Sequence, residues 1–434
     1  MALSQMGVDV DIVTRQIDDP AWPEFAKPID YYPGYEDRLR IVRIPCGGPR
    51  FLNKEQLWEH LDEFAENIIE FYGAAQPDFA TGHYGDGGYA AALLKHKTGI
   101  GFTFTGHSLG AQKLDKLGMT PANYDLMEQQ YRFAQRIMGE RLSMTYAFQI
   151  ITSTLQERLE QYGHPLYRDA VAVNDDRKFT VIPPGVNTRI FTTQDRPGDD
   201  AIYAKIAAKL NGRQQPCVIV SSRFDEKKNH LGAVKAYALS KELQAQANLG
   251  IFIRGIDDPF AEIDRLPAKE QHILRPILEI ITQQHLQDKV FFLNIKSQKE
   301  LAATYRYFAR LGSVFTLTAF YEPFGLAPIE AAACGLAVAA TKNGGPSEIF
   351  EDGSGILVDP FDERQIAAGF LEGVNRFQHY AALGEQRVKT KYTWEMTAAG
   401  YLAVIEKGAQ QPRIKAFSLP ELDAQARIRA HLAK

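Results

Sequence analysis

The chain is expected to fold as two α/β domains, each a parallel sheet with helices on both faces. Three observations lead there. Short β-branched runs alternate with longer stretches of helical periodicity, the pattern of strand–helix–strand repeats. The alternation breaks in a polar segment near 187–200 and then restarts. Finally, 434 residues, 45% hydrophobic and 24% charged, supply enough apolar surface for two or three ordinary globular cores.

The elements follow in order. Strands are expected at 8–15 (VDVDIVTR), 39–45, 79–85, 100–106, 148–154 and 179–185, with helices over 54–72, 87–97 and 122–146. After the break come strands at 217–223, 249–255, 289–294, 313–319, 336–342 and 355–359. We place an N-terminal domain at 1–186 and a C-terminal domain at 187–393, and expect the helical segment 394–434 to pack back on the first. Ligands of such sheets bind beyond the carboxyl ends of the strands, so two facing sheets are expected to make one cleft. The opening, MALSQMGVDVDIVTR, reads as the end of a helix, a stop near Gly7, and a strand. A doubly wound sheet normally opens with a strand and a glycine-bearing turn. The N-terminal domain is therefore expected to lack its first strand.

A net charge of −4 without like-charge blocks points to neither nucleic acid nor an anionic membrane as partner. No apolar run approaches the ~20 residues of a membrane span. Cys46, Cys217 and Cys334 are odd in number, far apart and set in apolar surroundings, which fits reduced thiols and a cytoplasmic location. Neither H-E-x-x-H nor C-x-x-C occurs, so no protein-built transition-metal site is expected.

The richest segment is TAFYEPFGLAPIEAAACGLAVAATKNGGPSEI, residues 318–349. A strand ends at Thr318, a loop holds Glu322, and a helix begins near Gly325 with Pro328 tolerated in its first turn. The amides of Gly325, Leu326 and Ala327 then suit a phosphate, with the carboxylates of Glu322 and Glu330 to either side as acceptors for sugar hydroxyls. That combination suggests a sugar nucleotide; the plainer reading is a capped core helix with an ion-paired glutamate. SSRFDEKKNH (221–230) supplies Arg223 and Lys228, two cations able to hold a diphosphate and stabilise its charge on leaving. In the first half, Lys54, Lys113, Arg136 and Arg141 could collect a second anion such as a sugar phosphate.

TFTGHSLGAQK (103–113) contains G-x-S-x-G, the turn that presents the nucleophile in α/β-hydrolases. A hydrolase would need an acid and then a histidine later in the chain. Of His164, His230, His272 and His285 only His230 stands at a plausible strand end, inside the Lys228 loop. Ser108 is better read as a ligand for substrate.

Together, HYGDGG, GHSLGAQK, VIPPGVNTRIF, SSRFDEKKNH, FYEPFGLAPIEAAACG and NGGPSEI resemble retaining GT-B glycosyltransferases and, more narrowly, sucrose-phosphate synthases, over about residues 7–407. The resemblance implies two Rossmann-like domains and transfer of glucose from UDP-glucose, or ADP-glucose, to fructose 6-phosphate. It implies that Arg223 and Lys228 hold the diphosphate and that Glu330 binds the ribose. Glu322 and the amides after Phe324 (Gly325, Leu326, Ala327) would bind the glucose, with His107 beside it. Lys54, Tyr84, Ser108, Lys113 and Arg136 would bind fructose 6-phosphate. Catalysis would fall to His107, Arg223, Lys228 and Glu322, by front-side attack without a covalent intermediate. No cofactor is required, Mg2+ being at most a stimulant. The family opens with a strand and a Gly-Gly-Gln turn that this chain starts after, and a separate phosphatase would have to finish sucrose synthesis. Two rival readings are a sucrose synthase acting on free fructose and a truncated, non-catalytic sugar-nucleotide-binding form.

Overall fold

The structure, a computed structural model, describes residues 1–414 and 424–433; residues 415–423 and 434 of the expected C-terminal segment lie outside the described residues. The chain divides into two units, Met1–Pro183 with Thr397–Lys434, and Pro184–Met396.

Among the described residues the first unit holds seven strands in two sheets. β1 (Val10–Arg15), β2 (Ile29–Tyr31) and β3 (Leu39–Ile44) form one, in the order β1-β3-β2. β1 runs parallel to β3 and β2 antiparallel to it. β4 (Phe79–His83), β5 (Gly101–Thr105), β6 (Gln149–Thr152) and β7 (Phe179–Val181) form the other, parallel and in chain order. β2 was not expected. It is three residues long, follows Pro28, and is held by Arg43, which donates to Asp30 at 2.5 Å and to the Lys27 carbonyl at 2.8 Å.

The two sheets share a core, although β1 and β4 each hydrogen-bond to one neighbour only. Val42 and Ile44 of β3 pack with Ile68 of helix Leu61–Tyr72 and Leu94 of helix Tyr84–Thr98; Val13 of β1 and Ala80 of β4 lie against the same cluster. β1 accordingly alternates between half-buried and exposed, with Ile12 42% exposed, instead of reading as a strand covered on both faces. Tyr401 of helix Trp394–Ala409 packs near Ile151 and Ile182, and Ile428 of helix Ala424–Leu432 is buried beside Phe133 and Ile137.

The second unit is one six-stranded parallel sheet. β8 (Cys217–Val220), β9 (Asn248–Ile253), β10 (Val290–Asn294), β11 (Val314–Leu317), β12 (Ala337–Thr341) and β13 (Ile356–Val358) lie in the order β10-β9-β8-β11-β12-β13. Successive residues alternate between two cores: Val218 and Val220 join one helical layer, Cys217 and Ile219 the other. Burial on both faces is why these strands read as unbroken apolar runs. The order reverses between β8 and β11, and their carboxyl ends mark the place where such a sheet binds ligands. Among the described residues no helix is long and apolar enough to cross a membrane.

Candidate active site

The chain leaves β8 and β11 at the same end of the second unit's sheet, since these neighbours run parallel with Val314 opposite Val218. Two bonds tie the departing loops together. Thr318 Oγ1 donates to the Asn229 carbonyl at 2.9 Å, and the Phe320 amide donates to the Lys227 carbonyl at 2.9 Å. Asn229, in the left-handed region at φ +53°, holds its own turn by accepting from the Gly232 amide and donating to the Pro360 carbonyl.

Within this frame Lys228 donates to Glu322 in a largely buried ion pair, the side chains 15% and 14% exposed. The two residues that the sequence assigned to different parts of one ligand therefore meet directly. Arg223 is exposed and makes no ion pair among the described residues. Glu322 is placed by its backbone: its amide donates to the Asn343 carbonyl at 3.1 Å, and its carbonyl accepts from Gly345 at 2.9 Å. Gly344, at φ +99°, permits this contact, because a Cβ there would fall 2.0 Å from the Glu322 carbonyl oxygen. NGGPSEI and FYEPFG are thus two halves of one construction.

Helix Leu326–Ala333 starts after Gly325, which adopts φ +112°; no side chain caps it, and the amides of Leu326 and Ala327 open its first turn. Phe324 is buried in the core beneath. Glu330, one turn further on, is half-buried, and desolvation pushes its pKa up to about 7. Among the described residues it makes neither hydrogen bond nor ion pair. A carboxyl in that setting lacks the donors that buried acceptors normally find, which marks it as a candidate ligand contact. His230, by contrast, is buried, stacked on Phe224 and bonded to Ser222, with burial drawing its pKa to about 4. It is a core histidine.

In the first unit, β4 and β5 end side by side, His83 opposite Thr105. Each is followed by a non-glycine residue in the left-handed region, Tyr84 at φ +66° and His107 at φ +55°. Such strain collects at ligand sites. Arg136 is buried, donates to Glu140 at 2.9 Å and to the Ser108 carbonyl at 2.6 Å, and lies 4.9 Å above the Tyr84 ring. Glu140, fully buried, also accepts from the Gly110 amide and from Tyr167. These bonds fix the turn that carries Ser108, itself exposed.

Lys113 sits over the ring of Tyr131 at 4.7 Å. Burial lowers its pKa and the charges of Lys54 and Arg136 lower it further, while that of Glu55, itself 3.8 Å from Lys54, raises it, so three of the expected cations come together with one carboxylate beside them. Arg141 does not join them: it is buried and donates to the carbonyls of Leu166 and Arg168, a structural role. The sequence analysis missed His83, whose Nδ1 lies 3.0 Å from Nε2 of His107, and Glu140, the anchor of Arg136. His83 could have been found from its place at a strand end beside Tyr84. Nothing local marks Glu140.

Among the described residues one group could present ligands to a metal: Asp115, His164 and His431 each offer an atom within 4.8 Å of the others. His164 Nδ1, however, accepts the Leu166 amide at 3.1 Å, so Nε2 carries the proton and donates to Asp115 at 2.9 Å. Both nitrogens of His164 are used, while His431 of helix Ala424–Leu432 tilts against the His164 ring at 5.1 Å and stands 3.6 Å from Asp115, so the group is explained by its own side-chain contacts.

Comparison with known proteins matches each unit separately. Residues 204–389 fit the model of group 1 glycosyl transferases, and residues 12–197 fit that of the first GT-B domain of sucrose synthase. The molecule is a glycosyltransferase of the GT-B fold. It is 43% identical to the probable sucrose-phosphate synthase of Thermosipho melanesiensis over 94% of this chain and 88% of that protein. The chain belongs to the sucrose-phosphate synthase family. It is also 32% identical to the sucrose-phosphate synthase of Zea mays, over 91% of this chain but 42% of that longer protein. The solved sucrose-phosphate synthase of Thermosynechococcus elongatus superimposes with a TM-score of 0.66 and 25% identity, covering 94% of this chain and 90% of that one. Anabaena HepE, crystallised with UDP and glucose, shares the fold at a TM-score of 0.58 and 16% identity, over 92% of this chain and 99% of its own.

Proposed function

We propose that the chain transfers glucose, with retention of anomeric configuration, from UDP-glucose to fructose 6-phosphate, giving sucrose 6-phosphate and the nucleoside diphosphate. The observation that supports the acceptor choice is the grouping of Lys54, Arg136 and Lys113: Lys54 has Glu55 at 3.8 Å and Arg136 has Glu140, while no carboxylate stands within ion-pair distance of the Lys113 ammonium among the described residues. Like charges held together are relieved by an anion, and a sugar phosphate supplies one. Arg223, Lys228 and the opening amides of helix Leu326–Ala333 take the diphosphate. The unpaired Glu330 takes the ribose hydroxyls, Glu322 the glucose, and His107 lies beside it.

In this scheme the bond from glucose C1 to the phosphate oxygen breaks as the acceptor hydroxyl forms a bond to C1 on the same face. The departing phosphate oxygen removes the acceptor's proton. The protein contributes orientation and charge neutralisation, and Glu322 is released from Lys228 as the diphosphate arrives. No cofactor takes part, so activity should survive a chelator, with Mg2+ at most raising it.

The family model matched by residues 12–197 is named for sucrose synthase, so free fructose is the acceptor to compare. The test is product formation from UDP-glucose or ADP-glucose with fructose 6-phosphate or fructose. Sucrose 6-phosphate formed well, and sucrose hardly at all, is the expected result. Equal use of both acceptors would give the sucrose synthase reading instead.

A further inference from the structure

We propose that His83 is a positioning residue for His107, holding its ring plane and tautomer through an N–H···N bond between the two imidazoles. The inference rests on the reading above, in which His107 lies beside the donor glucose.

The geometry is specific. His83 Nδ1 and His107 Nε2 are 3.0 Å apart, the ring centroids 5.3 Å apart and the planes inclined by 19°. That centroid separation is the N–N distance plus the two ring radii. The rings therefore meet edge to edge and nearly in one plane, an in-line hydrogen bond and not a face stack. A neutral imidazole has one donor and one acceptor nitrogen, so one ring must give the bridging proton and the other receive it. Whichever way it runs, Nε2 of His107 is committed, and Nδ1 is left as its one nitrogen for a ligand, with its character as donor or acceptor set by His83.

The pair is itself supported. Tyr401 lies 6.1 Å from the His83 ring at 28°, and its hydroxyl is bonded to Thr105 Oγ1 at 2.7 Å. His107 needs such support, because its backbone stands in the left-handed region two residues beyond the end of β5. Both residues are open to solvent on one side, and partial desolvation, with the neighbouring ring as a second cause for His83, lowers both pKa values.

The test uses the full chain. His83→Ala should lower kcat by roughly 10- to 100-fold while KM for both substrates stays nearly constant, the usual cost of losing an orienting partner. His83→Asn, whose amide can replace Nδ1, should recover most of that loss. Imidazole 15N shifts of His107 should report one tautomer in the wild type and in His83→Asn, but an averaged pair in His83→Ala. An unchanged kcat in His83→Ala, or unchanged His107 shifts, would overturn the inference. If the wild type forms no product from any nucleotide-glucose, the functional reading fails, while the shift comparison still decides the role of His83.

Discussion

Lys228 in the second unit and Lys113 in the first each follow a parallel strand, and each is a cation of a proposed anion site. They are held in opposite ways. Lys228 is already balanced by Glu322, at the end of a loop that Gly344 pins by direct backbone contact. Lys113 faces Lys54 and Arg136 and rests on the ring of Tyr131. An anion reaching Lys228 competes with a carboxylate and frees it for another partner. An anion reaching Lys113 meets an ammonium that has no carboxylate within ion-pair distance among the described residues, although Glu55 stands near it. Under the proposed reaction, the second unit would meet charge that changes as the diphosphate leaves, and the first a charge that stays on its ligand.

The comparison breaks most readily at Arg136, which belongs to the cation set but is also buried against Glu140. Arg136→Ala should leave Glu140 as a buried unpaired carboxylate, a loss of ~3–5 kcal/mol, read as a fall in the denaturant midpoint. Arg136→Lys should recover part of it. If Arg136→Ala is as stable as the wild type, the pair is not the anchor described here.

Next in size are Arg223→Ala and Lys228→Ala. Each should lower kcat at least ~100-fold at saturating substrate, because each removes stabilisation aimed at the leaving diphosphate. If only KM moved, the second unit would be a binding site without a part in the chemistry.

Lys113→Ala is the cleaner probe of the first unit. Removal of one charge-assisted contact, worth roughly 1.5–3 kcal/mol, should raise KM for fructose 6-phosphate at least ~10-fold and leave that for fructose nearly unmoved. Equal shifts for both acceptors would show that the cations do not read the phosphate.

Glu330 offers a test by pH. Its carboxyl is raised from 4.5 to about 7, so the folded state binds the proton more tightly than the unfolded chain. The associated stability is present below about pH 4.5 and is lost as pH rises through 7. The wild type should therefore lose thermal stability relative to Glu330→Gln across that window. Nucleotide binding near pH 6.5 should also release a proton, measurable by calorimetry in buffers of different ionisation heat. Parallel stability curves for the two proteins would place Glu330 in open solvent. Smallest of all, Ser108→Ala should change acceptor KM a few-fold with kcat nearly constant, about one neutral hydrogen bond.

Much of the fold was legible. Each of the twelve strand-like runs contains a strand; in the second unit this follows because parallel strands covered on both faces need continuous apolar sequence. β2 escaped because IDY is too short to carry a period and is held by Arg43 from another strand. The division of the first unit into two sheets was also unreadable in detail, since pairing depends on which strands become neighbours.

For the candidate site, the sequence by itself determined which chemical groups stand at strand ends. Turn glycines, Pro328 in a first helical turn and apolar runs ending at Ser221 and Thr318 are local signals with local causes. Only the tertiary structure decided which of those groups meet. Lys228 and Glu322 are 94 positions apart, and His83 and His107 are 24 apart. Arg136 and Glu140 are one helical turn apart, yet their burial is set by what packs over them. Strand order brings such partners together, and strand order is a property of the assembled sheet: each charge acquires its partner, and its protonation, from neighbours that chain position does not specify.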